Sequence, residues 1–471
     1  MWPKNELTER LGLEWPIIQA PMAGSATPEL AAAVSNAGGL GSLGFGISTV
    51  EEIGAMIEAF GELSGRALNA NFMCHKDPGD VEGTVPEMRA GLQRLYFEAG
   101  LGEVPQPTAP FAPFGPQHLE VLQRYRPEVV SFHFGLPDDE LFQAVKDTGA
   151  FVISSATTVA EARWLEERGV DAVIAQGTEA GGHRGTFLGA DPSEQPGLFA
   201  FLPQVADAVS VPVIAAGGIA DGRGIAAAFV LGASAVQMGT AFLRCPETSV
   251  HPRHREALAR GTDSSTRVTR LFSGGPARSQ INRYMNALHH LEDKAAPYPT
   301  QATLHGPLAA ATPDDEAGDV IALWSGQSAA LTREMPAADL VATLAREAGE
   351  ILGNREQGKT ASNPRPRGHP VHALTRRERG SKTKGQSIAS SNRTTGHPIP
   401  EYPLGDWVGC PLGCGRGREP GQSFPVPSSL LVILRACAGD PRRRCASTAL
   451  RRSGPRSAPG RRSSRRLRWP R

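Results

Sequence analysis

The strongest candidate for chemistry is one histidine in a glycine-rich segment, where residues 175–185 read AQGTEAGGHRG. His183 follows an apolar run, Ala172–Gly177, and is flanked by Gly181, Gly182 and Gly185. Small residues let such a loop approach a substrate closely. An imidazole has an unperturbed pKa near ~6.5, so it can take a proton or stabilise a bound anion. We therefore expect a catalytic His183.

Two further histidines, His75 and His133, end or lie on other apolar runs and are expected to line the same pocket. A metal site is not expected. His251, His254, His289 and His290 lack accompanying acidic or cysteine ligands in a clear motif. The spacing of Cys410, Cys414, Cys437 and Cys445 is irregular and does not favour zinc.

Two glycine-containing turns predict a phosphate site. One apolar run ends in Gly217 and Gly218, and the next ends in Gln237, Met238, Gly239 and Thr240. Glycines at strand ends let backbone N–H groups approach an anion, and a following helix N-terminus adds a favourable dipole. Each turn alone is equally well explained as a tight connection, but the pair favours a phosphate-bearing ligand.

The elements that position these residues alternate between short apolar runs and helical patterns. Runs rich in Val, Ile and Ala without strict alternation are typical of strands buried on both faces. Eight such units in residues 1–245 predict a (β/α)8 TIM barrel, whose loops after strands seven and eight commonly bind phosphate. A doubly wound sheet is the alternative, but the early glycine fingerprint is absent. The runs are Pro16–Met22, Gly39–Gly44, Ala67–Cys74, Val129–Gly135, Phe151–Ala156, Ala172–Gly177, Val211–Gly218 and Ala235–Phe242.

Two other regions follow the barrel. Residues 246–353 are predicted to form a mostly helical appendage over the catalytic face, with helices near Arg253–Ala259, Gln280–Glu292 and Ala337–Ile351. Residues 354–471 lack periodicity and are rich in Pro, Gly, Ser and Arg, so a disordered basic tail is expected. Residues 351–471 hold 25 Lys and Arg against 6 Asp and Glu, whereas residues 1–350 hold 24 against 42.

Composition also bears on location. Cys74 and Cys245 are the only cysteines before the tail, which favours a reducing compartment. The N-terminus does not resemble a signal peptide, and no apolar run reaches the ~18–20 residues of a spanning helix. A cytoplasmic protein is expected.

Taken together, three segments resemble the nitronate monooxygenase (2-nitropropane dioxygenase) family. Residues 175–185 are similar to its central motif, residues 19–24 (QAPMAG) to its first strand, and residues 69–75 (NANFMCH) to its third-strand motif. The two glycine turns match its FMN phosphate site. The resemblance covers about residues 10–350 and implies His183 as the catalytic base or electrostatic partner. It implies FMN contacts from Ala20, Pro21, Met22, Gln176, Gly181, Gly217, Gly218, Gln237, Met238, Gly239 and Thr240, and from Asn69 or Asn71.

The implied reaction is FMN-dependent oxidation of alkyl nitronates, and of nitroalkanes as a wider option, by O₂ to a carbonyl compound and nitrite. An FMN-dependent enoyl-thioester reductase or NAD(P)H:quinone reductase is the nearest alternative. Non-specific RNA binding by the basic tail is an alternative of another class, but no aromatic-interleaved basic pattern supports it. The tail itself is either a genuine extension or sequence read past a frameshift, and its composition favours the latter. The oligomeric state is left open, with a homodimer as one option.

Overall fold

A computed structural model gives the fold and describes residues 2, 5–79, 81, 83, 85–189 and 191–356. The predicted tail, residues 354–471, therefore lies almost entirely outside the described residues. The strands are β1 (Ile17–Gln19), β2 (Gly41–Gly44), β3 (Leu68–Met73), β4 (Val129–His133), β5 (Phe151–Ala156), β6 (Ala172–Gln176), β7 (Gly182–His183), β8 (Val213–Ala216), β9 (Ala235–Met238), β10 (Thr266–Thr269) and β11 (Ala277–Gln280).

Eight of these strands form the predicted TIM barrel. They are parallel, in the order β1-β9-β8-β6-β5-β4-β3-β2, and a parallel bridge between Ile18 and Leu40 closes the ring. Pairing aligns Gln176 with Ala216 and Ala216 with Gln237, so these strands end at one level. The barrel thus brings the carboxyl ends of its strands, where the predicted site residues lie, to one face.

Helices connect the strands and surround the barrel. Local signals in the sequence account for several of their ends: Thr49 and Glu52 form a capping box at α3, and Asp221 caps α9. The helices are α1 (Glu6–Leu11), α2 (Pro28–Asn36), α3 (Val50–Leu63), α4 (Pro86–Ala99), α5 (Pro116–Tyr125), α6 (Asp139–Asp147), α7 (Val159–Glu167), α8 (Leu198–Ala206), α9 (Gly222–Val230), α10 (Pro252–Ala259), α11 (Arg283–Ala287), α12 (Gln301–Ala311) and α13 (Ala337–Glu356).

The secondary structure of the appendage differs from the predicted one, because it includes strands as well as helices. A three-stranded antiparallel sheet, β10-β11-β7, joins it to the loop that carries His183. The predicted helix at Gln280–Glu292 is instead the end of β11, the short α11 and a 3₁₀ helix, His289–Lys294. Strand β7 is only two residues long and pairs with β11, which lies far away in the chain, so no local periodicity indicates this sheet.

The appendage core also includes a segment from within the barrel region. Helix α4 places Met88, Leu92 and Tyr96 in one apolar cluster with Phe272 and Leu304. The long connection after β3 therefore contributes to the appendage, although it precedes residue 246.

Helix α13 packs against barrel helices α2 and α9 rather than over the catalytic face. Leu340, Val341 and Leu344 are fully buried there. The sequence placed residues 337–353 in the appendage, whereas α13 occupies the helix position that follows β9. An amphipathic pattern shows that a helix has a buried face but does not show what covers it.

These contacts predict opposite results for two truncations. A chain ending at Glu356 should keep its melting temperature and activity, because the removed residues have too little apolar content to offset their ordering entropy. A chain ending at Met335 loses α13 and should lose on the order of 5 kcal/mol of unfolding free energy. Thermal unfolding of both chains beside the full-length protein measures this. A marked fall for the longer truncation product would show that residues 357–471 pack on the barrel.

Within the part of the chain that the structure describes, no helix is both long and apolar enough to cross a membrane.

Candidate active site

A cavity of about 380 Å³ lies at the carboxyl ends of the barrel strands, with the appendage on its other side. Barrel residues and appendage residues line it together. The barrel contributes residues after β1, β6, β8 and β9. The appendage contributes the rings of Phe272, Tyr298 and Trp324 together with smaller residues. Predicted site residues that line it are Ala20, Pro21, Met22, Asn71, His133, Gln176, Gly181, His183, Gly217, Gly218, Gln237, Met238, Gly239 and Thr240.

His183 lies at the centre of this arrangement. Its Nε2 is 2.7 Å from the hydroxyl oxygen of Ser273, and its carbonyl accepts a hydrogen bond from Gln176 Nε2 at 3.0 Å. Its ring packs against Tyr298 at 5.0 Å and Trp324 at 5.3 Å between centroids. Pairing of His183 with Ala277 joins the segment to β11. The barrel thus holds the backbone of His183, and the appendage holds its imidazole.

Burial makes this histidine a weak base in the free protein. Burial, with smaller contributions from the nearby His133 and His75, lowers the pKa of His183 to about 3. Burial likewise lowers the pKa of His133 to about 4. Both rings are therefore neutral at neutral pH, the form that can accept a proton.

The buried histidines predict an acid-sensitive fold. Their pKa values are lowered from 6.5 to about 3 or 4, so below pH ~6.5 the unfolded chain binds protons that the folded chain does not. Unfolding free energy should therefore fall as pH drops from 7.5 to 5, by roughly 1 kcal/mol per histidine per pH unit below ~6.5. Urea unfolding across this range measures the slope, and His305→Gln should reduce it. A flat profile would contradict the prediction. The histidines are His75, His133, His183, His254 and His305.

The other two predicted pocket histidines differ in position. His133 lines the cavity; its Nδ1 is 2.6 Å from Ser155 Oγ, and its Nε2 is 3.2 Å from the His183 carbonyl. His75 is not among the lining residues. It packs edge-on against Phe111 and Tyr298, which do line the cavity, so it lies one layer farther out.

The two candidate asparagines also differ in their position relative to the cavity. Asn71 lines the cavity and donates from Nδ2 to Ser131 Oγ at 2.9 Å. Asn69 is fully buried and donates to Ser42 Oγ at 3.0 Å, away from the cavity. Both point into the barrel because they are two positions apart on β3, but Asn71 is nearer the strand's carboxyl end. Of the two candidates left open by the sequence, Asn71 is therefore the one that lies at the cavity.

The glycine turns have the geometry of an anion cradle. Gly217 and Gly218 have φ of 111° and 71°, a left-handed conformation that favours glycine. The backbone N–H groups of Gly217, Gly218, Gly239 and Thr240 donate to no other described residue. An added Cβ at Gly239 would lie 3.5 Å from the Ala20 Cβ, an ordinary contact distance, so a side chain fits at this turn.

The helix dipole contributes less than the sequence suggested. The Asp221 carboxylate already accepts the N–H groups of Arg223 and Gly224 at the start of α9. A phosphate at the Gly217–Gly218 turn would therefore rely on the loop amides and on the short 3₁₀ helix Thr240–Phe242 rather than on α9.

Two buried ionic side chains that the sequence analysis missed hold the His183 loop. Arg184 is 1% exposed and donates to the carbonyls of Gln176 at 2.9 Å and Gly177 at 2.6 Å. Glu161 is fully buried and accepts the N–H groups of Phe187 at 2.7 Å and Leu188 at 3.1 Å. Charged hydrogen bonds of this kind fix a loop more firmly than neutral ones.

Ser273 and Tyr298 also contact His183 from the appendage, although neither was predicted from the sequence. They lie about 90 and 115 residues farther along the chain and carry no local motif. Trp324 and Gly326, in the segment Trp324-Ser325-Gly326-Gln327, also line the cavity. Gly326 N–H donates to Thr240 Oγ1 at 2.9 Å, and Gln327 N–H donates to the Glu179 carbonyl at 2.9 Å.

Among the residues that the structure describes, no group of three His, Cys, Asp or Glu side chains is placed to hold a metal ion.

Comparison with known proteins gives consistent results. The family model for nitronate monooxygenase matches residues 4–347. A probable nitronate monooxygenase of Staphylococcus aureus (strain MSSA476) is 36% identical over 359 residues, which cover 75% of this chain and 99% of the relative. A crystal structure of nitroalkane oxidase from Streptomyces ansochromogenes superposes with a TM-score of 0.67 at 38% identity, covering 74% of this chain and 99% of that one. FabK from Thermotoga maritima superposes with a TM-score of 0.59 at 30% identity, covering 76% and 100%.

Proposed function

Because the chain belongs to the nitronate monooxygenase family of oxidoreductases, we propose that it uses FMN and O₂ to convert alkyl nitronates to a carbonyl compound and nitrite. The observation that carries the proposal is the position of His183. Its ring lies in the cavity, between the glycine turns of the barrel and the aromatic wall of the appendage. We expect the protein to act in the cytoplasm on small molecules, without a nucleic-acid partner.

The residues present fit FMN. Free N–H groups at Gly217, Gly218, Gly239 and Thr240 suit a phosphate, because they offer donors without a side chain in the way. Near the expected ring position, the buried Oε1 of Gln237 has no hydrogen-bond partner among the described residues. The other groups that would hold the ring are Ala20, Pro21, Met22 and Asn71. Bound FMN would supply the electron acceptor that the side chains lack.

The side chains of this protein would supply the proton chemistry. The Nδ1 of His183 has no partner among the described residues, whereas its Nε2 is occupied by Ser273. With Nε2–H donating to Ser273, Nδ1 would accept the proton from the carbon of a neutral nitroalkane. The electron pair left on carbon delocalises onto the nitro oxygens and gives the nitronate. Gln176 and His133 hold the backbone of His183 during this transfer.

The test is the visible spectrum of the purified protein before and after a nitronate is added without oxygen. The proposal expects a yellow protein with about one FMN per chain, whose flavin bands bleach on addition and recover in air with release of nitrite. A colourless protein that takes up no added FMN would contradict it.

The alternative is a reductase that uses a nicotinamide cofactor with an enoyl thioester or a quinone. The apolar appendage side of the cavity would also accept an acyl chain or a quinone ring. Anaerobic addition of NADH or NADPH separates the two, because rapid bleaching by the nicotinamide, with none by a nitronate, would favour the reductase. RNA binding by the tail concerns residues outside those described. A salt-sensitive gel shift that is lost on truncation at Glu356 would support it.

A further inference from the structure

A buried cation directly follows His183. Arg184 is 1% exposed, and burial lowers the pKa of its guanidinium to about 10, so the group is charged at neutral pH. Its Nη1 and Nη2 donate to the carbonyls of Gly177 and Gln176, and its Nε donates to Gln195 Oε1 at 2.8 Å. All three acceptors are uncharged, so none of these contacts balances the positive charge.

A buried anion lies at the other end of the same segment. Glu161, on α7, is fully buried, and its Oε1 accepts the N–H groups of Phe187 at 2.7 Å and Leu188 at 3.1 Å. Its Oε2 accepts the N–H and the hydroxyl of Thr157, each at 2.7 Å. Both oxygens accept hydrogen bonds and neither donates one, which suits an ionised carboxylate.

A continuous series of side-chain hydrogen bonds joins this cation to this anion. Arg184 donates to Gln195, and the Nε2 of Gln195 donates to Thr186 Oγ1. The Thr186 and Thr157 hydroxyl oxygens are 3.0 Å apart, and the Thr157 hydroxyl donates to Glu161. Because Thr157 gives its one hydroxyl proton to Glu161, Thr186 is the donor between the two hydroxyls. Every donor therefore points from the cation towards the anion, an order in which each bond polarises and strengthens the next.

From this geometry we propose that the series is a hydrogen-bond relay that positions His183 for its reaction. The relay side chains are Arg184, Gln195, Thr186, Thr157 and Glu161. None of them lines the cavity, so they act through the loop and are positioning residues. The relay fastens residues 184–188 to the chain after β6 at one end and after β5 at the other.

This inference rests on the proposed function, in which the His183 imidazole must be held at the reacting carbon. Displacement of a catalytic group by about 1 Å can cost on the order of 100-fold in rate. A break in the relay should therefore loosen residues 183–188 and lower turnover while the glycine turns, which lie on other loops, still hold FMN.

Removal of one hydroxyl tests the middle of the relay. Thr157→Val deletes the link between Thr186 and Glu161 and keeps the shape of the side chain, whereas Thr157→Ser keeps the hydroxyl. In the FMN-loaded, full-length protein, Thr157→Val should lower kcat about 10- to 100-fold for a neutral nitroalkane, and less for a nitronate, with KM and flavin content little changed. Hydrogen exchange measured by mass spectrometry should become faster across residues 183–188. Thr157→Ser should restore most of both properties.

A second break distinguishes a relay from separate contacts. Gln195→Met removes the link between Arg184 and Thr186 at another point of the same series. The double variant with Thr157→Val should therefore lose scarcely more kcat than the worse single variant. Ser193→Ala is the control, since Ser193 is exposed in the same loop, and it should keep wild-type exchange and kcat.

The outcomes separate the relay from the proposed function. Wild-type exchange across residues 183–188, or wild-type kcat, in a folded and flavin-loaded Thr157→Val protein would overturn the inference. Losses that multiply in the double variant would also overturn it, because independent contacts behave in that way. Gln195→Met replaces Thr157→Val in these measurements if the valine variant does not fold. A wild-type protein that oxidises no nitro compound would overturn the proposed function instead.

Discussion

Replacement of His183 by alanine is expected to lower turnover of neutral nitroalkanes about 10²–10⁴-fold, the usual contribution of a positioned general base, and to leave FMN bound. The reason is positional, because the His183 imidazole lies in the cavity and has Nδ1 free among the described residues. Preformed nitronates have already lost the proton, so their turnover should fall much less. Steady-state kinetics with both substrate forms, at matched flavin content, measures the difference.

His290 provides the control, since it is exposed on the appendage and should be replaceable by alanine without effect. If the His183→Ala protein keeps wild-type rates with both substrate forms, the base must be sought elsewhere. His133→Asn would then be the next variant, because His133 is the other cavity histidine beside this segment.

Replacement of Gly239 by aspartate is expected to prevent FMN binding. The added Cβ at Gly239 meets Ala20 and Met22 at ordinary contact distances of 3.5 and 3.7 Å, and the φ of −102° suits any residue. The fold should therefore tolerate a side chain at this position. A carboxylate about 4 Å from a phosphate costs on the order of 4 kcal/mol at a partly exposed site, which weakens binding about 1,000-fold. Flavin absorbance after dialysis and the thermal shift on addition of FMN measure the loss.

Gly239→Asn is the matched control, because asparagine has almost the same shape as aspartate and no charge. It should retain far more FMN than the aspartate variant. If both variants lose FMN equally, the size of the side chain alone prevents binding. If both retain FMN equally, the phosphate binds elsewhere.

The barrel, and the end of the barrel that carries the site, could be predicted from the sequence because the patterns that indicate them are local. Each buried parallel strand is an apolar run, and each helix beside it has its own period and capping residues, as at Thr49 and Asp221. Once the strands are counted, topology places their carboxyl ends together. His183, Gly218 and Gly239 therefore meet at one cavity as expected, although they are far apart in the chain.

The remaining features depend on contacts between distant segments. Ser273 and Tyr298 reach His183 only because β11 pairs with β7, and neither residue has a motif that marks it. The choice between Asn69 and Asn71 depends on depth along one strand, which alternation cannot resolve. The place of α13 depends on which barrel helices remain uncovered.

Under the proposed function, the pairing of His183 with Ala277 places cofactor binding and catalysis on different parts of the chain. The glycine turns belong to the barrel, whereas the alignment of the imidazole needs a strand of the appendage. A barrel whose appendage is replaced by that of a relative would be expected to bind flavin and yet be inactive unless the two-residue register with β7 is preserved. Any transplanted appendage would therefore have to reproduce this short strand pairing.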